Sequence, residues 1–271
     1  MIRLKEIDLS RSPAPVLLQY LAANLPFTVN ILGCIERFRS RTKVIVSSED
    51  ERIIGVACIF SSNYNPHIWN DPIVWIVGNV EHLVRGLSQV VSGKFVLISD
   101  RPIPLELFQS QVQIREFQEE ILCLESKEFD LSTEIPIRRL VSGDALFSLR
   151  LSIGSSAAEF DSNIKEREIN FIKERQVFGL FIGGTMVSRG AIMTTLPDTA
   201  SIGAIITDVN HRGKGFGELL AKKLISVASM DSRRVCLFVN RDNVIAKNLY
   251  IKLGFNYTVP AYYYTSSAVR P

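Results

Sequence analysis

A chain of 271 residues with 46% hydrophobic content can build one large or two ordinary domains around a sizeable core, which excludes a disordered protein. A net charge of +3 with 22% charged residues excludes the clustered basic balance of a dedicated nucleic-acid binder; a pI near 8.7 still allows a modest basic patch for an anionic ligand. No run approaches the ~20 apolar residues that cross a bilayer, and the N-terminus lacks a charged-then-apolar leader. A soluble chain with no membrane partner is therefore expected.

In chain order, Val16, Leu17, Tyr20, Leu21 and Leu25 recur at helical spacing and predict an opening helix from Pro15 that Pro26 ends. Lys43 to Val46 and Ile53 to Phe60 are β-branched runs around a charged turn, which predicts a hairpin. Ile73 to Val77 reads as a strand, Val80 to Val91 as a helix, Phe95 to Ile98 as a strand, and Leu105 to Gln109 as a short helical segment. Ile114 to Leu124 is expected to close this half as its last strand.

The polar segment Ser126 to Pro136 has no apolar period and ends in proline, so the boundary falls there, between residues 1–128 and 129–271. Beyond it, Ile137 to Leu140 predicts a short strand, and Ala145 to Ile153 and Asn163 to Glu174 predict helices. Val177 to Ile182 and Met186 to Met193 flank Gly183-Gly184, a hairpin signal. Ala200 to Val209 then reads as a strand, Gly217 to Ser229 as a helix, Val235 to Val239 as a strand, Val244 to Leu253 as a helix, and Phe255 to Tyr264 as a closing strand. The two halves share an order of elements, which points to a tandem of related domains.

Cys34, Cys58, Cys123 and Cys236 sit singly in apolar runs, without the spacing of a disulfide framework or a metal site. They read as reduced, buried thiols, which suits the cytoplasm. His67 and His82 have no partner at metal spacing, and no metal is expected.

The passage from Ile205-Ile206-Thr207-Asp208 into Arg212-Gly213-Lys214-Gly215-Phe216-Gly217 and onward into a helix carries the chemistry. Alternate glycines let the backbone approach a ligand, and the amides of a helix N-terminus present donors to a phosphate. A P-loop needs Lys then Ser or Thr after its last glycine, but Glu218-Leu219 follow Gly217. A dinucleotide fingerprint needs a glycine three residues after Gly215, where Glu218 stands. Both nucleotide readings are disfavoured.

Arg212, Gly215 and Gly217 closely resemble the acyl-CoA loop of the GNAT superfamily of N-acetyltransferases. Asn243, Ala246, Leu249, Tyr250, Gly254 and Phe255 reproduce that family's second motif in order and spacing. The resemblance spans Ile137 to Tyr264. It implies an α+β fold with a central, mostly antiparallel twisted sheet flanked by helices, and a degenerate GNAT-like or accessory N-terminal half. Ile206 and Thr207 would pair with the pantetheine arm of acetyl-CoA, Arg212 to Gly217 would hold its pyrophosphate, Asn243 would lie beside the arm, and Tyr250 near the thioester sulfur.

The implied reaction moves an acetyl group to a primary amine by direct attack, with Tyr250 as general acid to the departing thiolate. A longer acyl-CoA, or a CoA-binding sensor without turnover, stands as the alternative. The base is open among Asp208, His211, Glu159, Glu166 and Glu168, or a water chain. Lys222-Lys223 and Arg233-Arg234 could screen CoA phosphates, and the acceptor amine and oligomeric state are not readable. In the N-terminal half, Gly78-Asn79-Val80-Glu81 bears no likeness to the glycine loop, so no second working cradle is expected.

Overall fold

The structure is a computed structural model that describes residues 2–10, 13–61, 72–87, 95–108, 112–131, 136–154 and 162–268. His67 and Glu159 lie outside these residues, as do the predicted ends of the helices reaching Val91 and Gln109. The first half contains β1 (Ile2–Ile7), α1 (Pro15–Ala23), α2 (Val29–Arg37), β2 (Thr42–Glu49), β3 (Arg52–Phe60), β4 (Ile73–Gly78), α3 (Val80–Leu87), β5 (Val96–Ser99) and β6 (Val112–Glu125). The second contains β7 (Ile137–Arg139), α4 (Ala145–Ile153), α5 (Ser162–Glu174), β8 (Gln176–Ile182), β9 (Thr185–Thr195), β10 (Ala200–Thr207), α6 (Phe216–Ala228), β11 (Arg234–Asn240), α7 (Val244–Lys252) and β12 (Asn256–Ala268). The fold is α+β, with a mostly antiparallel sheet flanked by helices.

Local chemistry accounts for most boundaries. Pro15 occupies the first turn of α1, where its missing N–H costs nothing, and Gly154 ends α4 in the left-handed conformation. The β8–β9 hairpin turns on Gly183 and Gly184, both at positive φ, as a two-residue turn matched to strand twist requires. The β2–β3 hairpin uses Asp50 and Glu51 at φ 45° and 66° for the same geometry.

Two elements were not foreseen. β1 is a largely exposed edge strand whose charged side chains mask any apolar period. α2 follows Pro26 closely and buries six of its nine residues, with Glu36 and Arg37 exposed on its polar side. The cysteines, read as isolated, are free thiols that come in pairs: Cys123 lies opposite Cys236 across β6 and β11, and Cys34 interacts with Cys58.

All twelve strands among the described residues join in one sheet, ordered β1-β2-β3-β4-β5-β12-β6-β11-β10-β9-β8-β7. Read inward from either edge, the two halves have the same order, but each is completed by the other's last strand. β12 pairs with β5, β6 pairs with β11, and β6 and β12 run antiparallel from Asn256↔Cys123 to Ala268↔Val112. Ile114 to Leu124 and Phe255 to Tyr264 are strands as expected, yet neither closes its own half.

Four core clusters follow from this layout. One face of the sheet carries α1 and α2 over Val56, Trp75, Ile98 and Tyr263, and α4 and α5 over Val177, Ala191 and Met193. The other carries α3 over Ala57, Val74 and Leu97, and α6 and α7 over Ile202, Leu237 and Leu122. Burying aliphatic side chains on both faces stabilises each by about 1.5–3 kcal/mol relative to exposure, which makes the central strands the rigid frame for any site between them. α2 also reaches the other half: a Cβ on Gly33 would stand 2.5 Å from Thr194 Cγ2, so only glycine permits that approach to β9.

Candidate active site

The site is built where two parallel strands part. β10 and β11 are register partners only over Ala200↔Val235, Ser201↔Cys236 and Ile202↔Leu237. Beyond Ile202 a bulge with Ala204 at φ 52° turns β10 away, while it stays paired with β9 at Ile206↔Arg189 and Thr207↔Ser188. The strands splay into a V whose arms carry backbone groups free to meet an extended ligand.

At the end of β10 the chain makes a short turn and enters the glycine loop. Asp208 accepts from the Asn210 N–H at 3.0 Å and contacts His211 Nδ1 at 2.8 Å, so its carboxyl titrates below the ordinary Asp range. Arg212 Nε donates to the Thr207 carbonyl at 3.2 Å, and Ser188 Oγ donates to that of Ile206 at 3.0 Å. Gly213 and Gly215 stand at φ 74° and 81°, conformations that side chains resist. Gly215 caps α6 without a side-chain hydrogen bond, leaving the first-turn amides of a thirteen-residue helix open to an anion. Lys214 and Arg212 are exposed beside them.

Gly217 explains how this loop meets the second motif. A Cβ there would lie 3.2 Å from Thr207 Oγ1, so its absence lets α6 start close against β10, while Leu249 Cδ1 of α7 stands at an ordinary contact distance of 4.0 Å. Glu218 ties the same two helices, with Lys222 at 2.9 Å and Lys252 at 2.8 Å, and these cations hold its carboxyl below the usual range. That acid in the first turn is thereby neutralised where an anion would bind. Asn243 is the N-cap of α7, its Oδ1 accepting from the Ala246 N–H at 3.1 Å. Tyr250 is buried against Phe255, and burial pushes its phenol up to about 12. No hydrogen bond reaches its hydroxyl among the described residues.

The candidates for a base separate clearly. Glu168 on α5 is fully buried and bonded to Arg189 on β9 and Ser148 on α4. Asp208 and His211 are committed to each other in the turn.

A different carboxylate faces the V. A cavity of about 340 Å³ opens between Gly203 and Ala204 on β10 and Asn240 on β11, and its far walls come from the first half and from β12. Glu119 lines it, on the exchanged strand β6, with Asn240 and Ala261 as its neighbours across the sheet. Burial lifts its carboxyl to about 7, against the opposing pull of a hydrogen bond with Tyr263. One sequence signal marks its position: Glu119 shares strand parity with Phe117 and Ile121, which makes it an acid on an apolar face.

Because the folded state holds the Glu119 proton more tightly than the unfolded chain does, stability should fall as pH rises from about 4.5 to about 7, and by at most about 3 kcal/mol. Urea unfolding at pH 5 and pH 8 checks this. Glu119→Gln should flatten that part of the profile, and an unchanged profile would show that the carboxyl ionises freely in the fold.

The equivalent place in the first half is built differently, with a separate cavity of about 520 Å³ lined by Tyr20, Gly78, Asn79, Glu81 and Arg101. β4 and β5 pair in parallel over four residues, Ile73↔Val96 to Ile76↔Ser99, and the Asp100 carboxylate then accepts from the Gly78 N–H at 3.3 Å. Only Asn79 separates β4 from α3, so no loop exists there to cradle a phosphate.

Residues 177–264 match the family model of FR47-like proteins, a GNAT-related family. No curated protein matches the chain. Among solved structures, a GCN5-related N-acetyltransferase-like protein from Streptococcus suis superposes with a TM-score of 0.61 at 15% identity, covering 92% of this chain and 97% of that one. A GNAT-family protein from Novosphingobium aromaticivorans gives 0.60 at 16%, covering 79% and 89%. A tandem GNAT protein of the clavulanic acid biosynthesis pathway gives 0.59 at 12% and covers 100% and 99%. With the parted strands, the glycine loop and the doubled order of elements, these likenesses establish that the chain has a GNAT fold with two domains.

Proposed function

We propose that the protein is an acyl-CoA-dependent N-acyltransferase that moves an acetyl group from acetyl-CoA to a primary amine by direct attack. The observation that carries this reading is the continuity of the V between β10 and β11 with the uncapped N-terminus of α6. An elongated ligand with an anionic end can lie along that path: pyrophosphate on the Arg212–Gly217 amides, pantetheine arm between the strands at Ile206, Thr207 and Asn243, and thioester toward the cavity. Exposed Arg212 and Lys214 would add charge to the phosphate end.

Tyr250 supplies the donor at sulfur. A phenol near 12 keeps its proton at every physiological pH, while a thiol titrates near 8.5, so full transfer before C–S cleavage is uphill. The phenol therefore acts through a hydrogen bond that strengthens as charge develops on sulfur.

Thermal unfolding with acetyl-CoA, CoA, ATP and NAD added separately tests the reading. At a hundredfold excess over Kd a ligand stabilises the native state by about 2.7 kcal/mol, and only the CoA species should do so. Tyr250→Phe should lower turnover about 100-fold while leaving the CoA shift in place. A shift with ATP or NAD alone would overturn the assignment, and a CoA shift without turnover on any amine would make the protein a CoA sensor.

A further inference from the structure

The cavity between the halves has a composition that selects its occupant. Its walls are aromatic: Trp75 and Phe238 meet edge-to-face at 5.7 Å, and Phe117 stacks on Tyr263 at 4.9 Å. Glu119 is the single charged residue among the described lining, and Tyr263, its hydrogen-bond partner, is the other titratable group there. An ammonium is favoured twice, by the carboxylate and by the faces of the rings. An anionic group on the same acceptor finds no Lys or Arg among the described lining to offset its desolvation. About 340 Å³ accommodates a small molecule rather than a folded protein.

We propose that this cavity takes a primary amine with an apolar or aromatic body and no anionic group, and that Glu119, delivered by the strand exchanged from the other half, is the base that deprotonates it. This rests on the acyltransferase reading.

The step balances as follows. Glu119 accepts one proton from the bound ammonium and releases it to solvent. The freed lone pair forms the C–N bond at the thioester carbon. Collapse of the adduct breaks the C–S bond, and the second nitrogen proton ends on the CoA sulfur, giving an amide and a thiol. A carboxyl near 7 suits this role, being substantially ionised at neutral pH yet basic enough to take the proton. The site is thus incomplete in the C-terminal half by itself, since β6 and the Trp75 wall belong to the first half.

The test uses the full chain, acetyl-CoA and 2-phenylethylamine, with CoA release as the readout. Glu119→Gln should lower kcat/KM about 100-fold and abolish a rise with pH centred near 7, while the thermal shift with CoA is unchanged. Glu119→Asp should recover part of the rate. Glu119→Gln within threefold of the wild type would overturn the assignment of the base while leaving the acyltransferase reading intact.

Binding is read separately from turnover. 2-Phenylethylamine should raise the midpoint of the wild-type protein, and 3-phenylpropionate, of the same shape and opposite charge, should not. Equal shifts, or a larger one with the acid, would overturn the proposed substrate class. Turnover of no amine at all, with a CoA shift present, would sink the acyltransferase reading and the base together.

Discussion

Glu168→Ala should destabilise the protein by about 3–5 kcal/mol, because it strands a cation in the core. Arg189 on β9 is fully buried, and its Nη1 donates to the Glu168 carboxylate and to Ser148 Oγ. Its Nε and Nη2 have no hydrogen-bond partner among the described residues, so the loss of Glu168 removes the compensation that the carboxylate supplies. For a chain of this size, each kcal/mol moves the melting midpoint by roughly 2–4 °C, so a fall of about 10 °C is expected. Replacing the pair together, as Glu168→Leu with Arg189→Met, should cost far less than either half of the change, since two apolar side chains leave no charge unpaired. A loss under about 1 kcal/mol in Glu168→Ala would show that Arg189 finds another counter-charge. The consequence extends to the site, because Arg189 is the register partner of Ile206 on the splayed strand.

The second large effect concerns the halves themselves. Produced separately, residues 1–128 and 129–271 should each fail to give a cooperative unfolding transition, whereas equimolar mixing should restore one. The reason is topological. Without β12 the edge of β5 is bare, and without β6 that of β11 is bare, including the backbone from Arg234 to Asn240. Unpaired edges of apolar central strands aggregate. Residues 129–271 by themselves would also lack Glu119 and Trp75, and so should release no CoA even if a fraction folded. A stable 129–271 fragment that binds acetyl-CoA with the full-length affinity would show the two domains to be autonomous, with the strand exchange as decoration.

The fragment experiment also separates what short-range sequence can encode from what it cannot. Gly183-Gly184 announced its hairpin because two adjacent positive φ values are a property of the dipeptide. The Arg212–Gly217 loop announced a glycine turn into a helix because spacing, glycine and a following amphipathic helix are all local. Helical and strand periods placed α1, α3 to α7 and most strands, and Phe255 to Tyr264 was a strand from its alternation alone. Each of these signals lies within about one turn or one strand of its own cause.

β1 escaped because an exposed edge strand lacks the contrast between faces that periodicity detects, whereas α2 carries that contrast over only nine residues directly after Pro26. Short-range pattern shows Asn243 only as the cap of its own helix, through the Ala246 N–H. It hid the fate of Glu168, which looked like one of several helix carboxylates until Arg189 lay beneath it.

By itself, then, the sequence determined the fold class, the tandem order of elements and the glycine loop. Only the tertiary structure decided that β6 and β12 change places, because strand pairing is a choice among edges of equal local chemistry made by the global burial of both faces. That choice carries Glu119 across the boundary, seats it opposite Asn240 and encloses it with Trp75, Phe238 and Tyr263. An ordinary acid in a strand acquires its raised affinity for a proton from enclosure by residues distant in the chain as well as by its strand neighbour Phe117, and no short window of sequence contains them all.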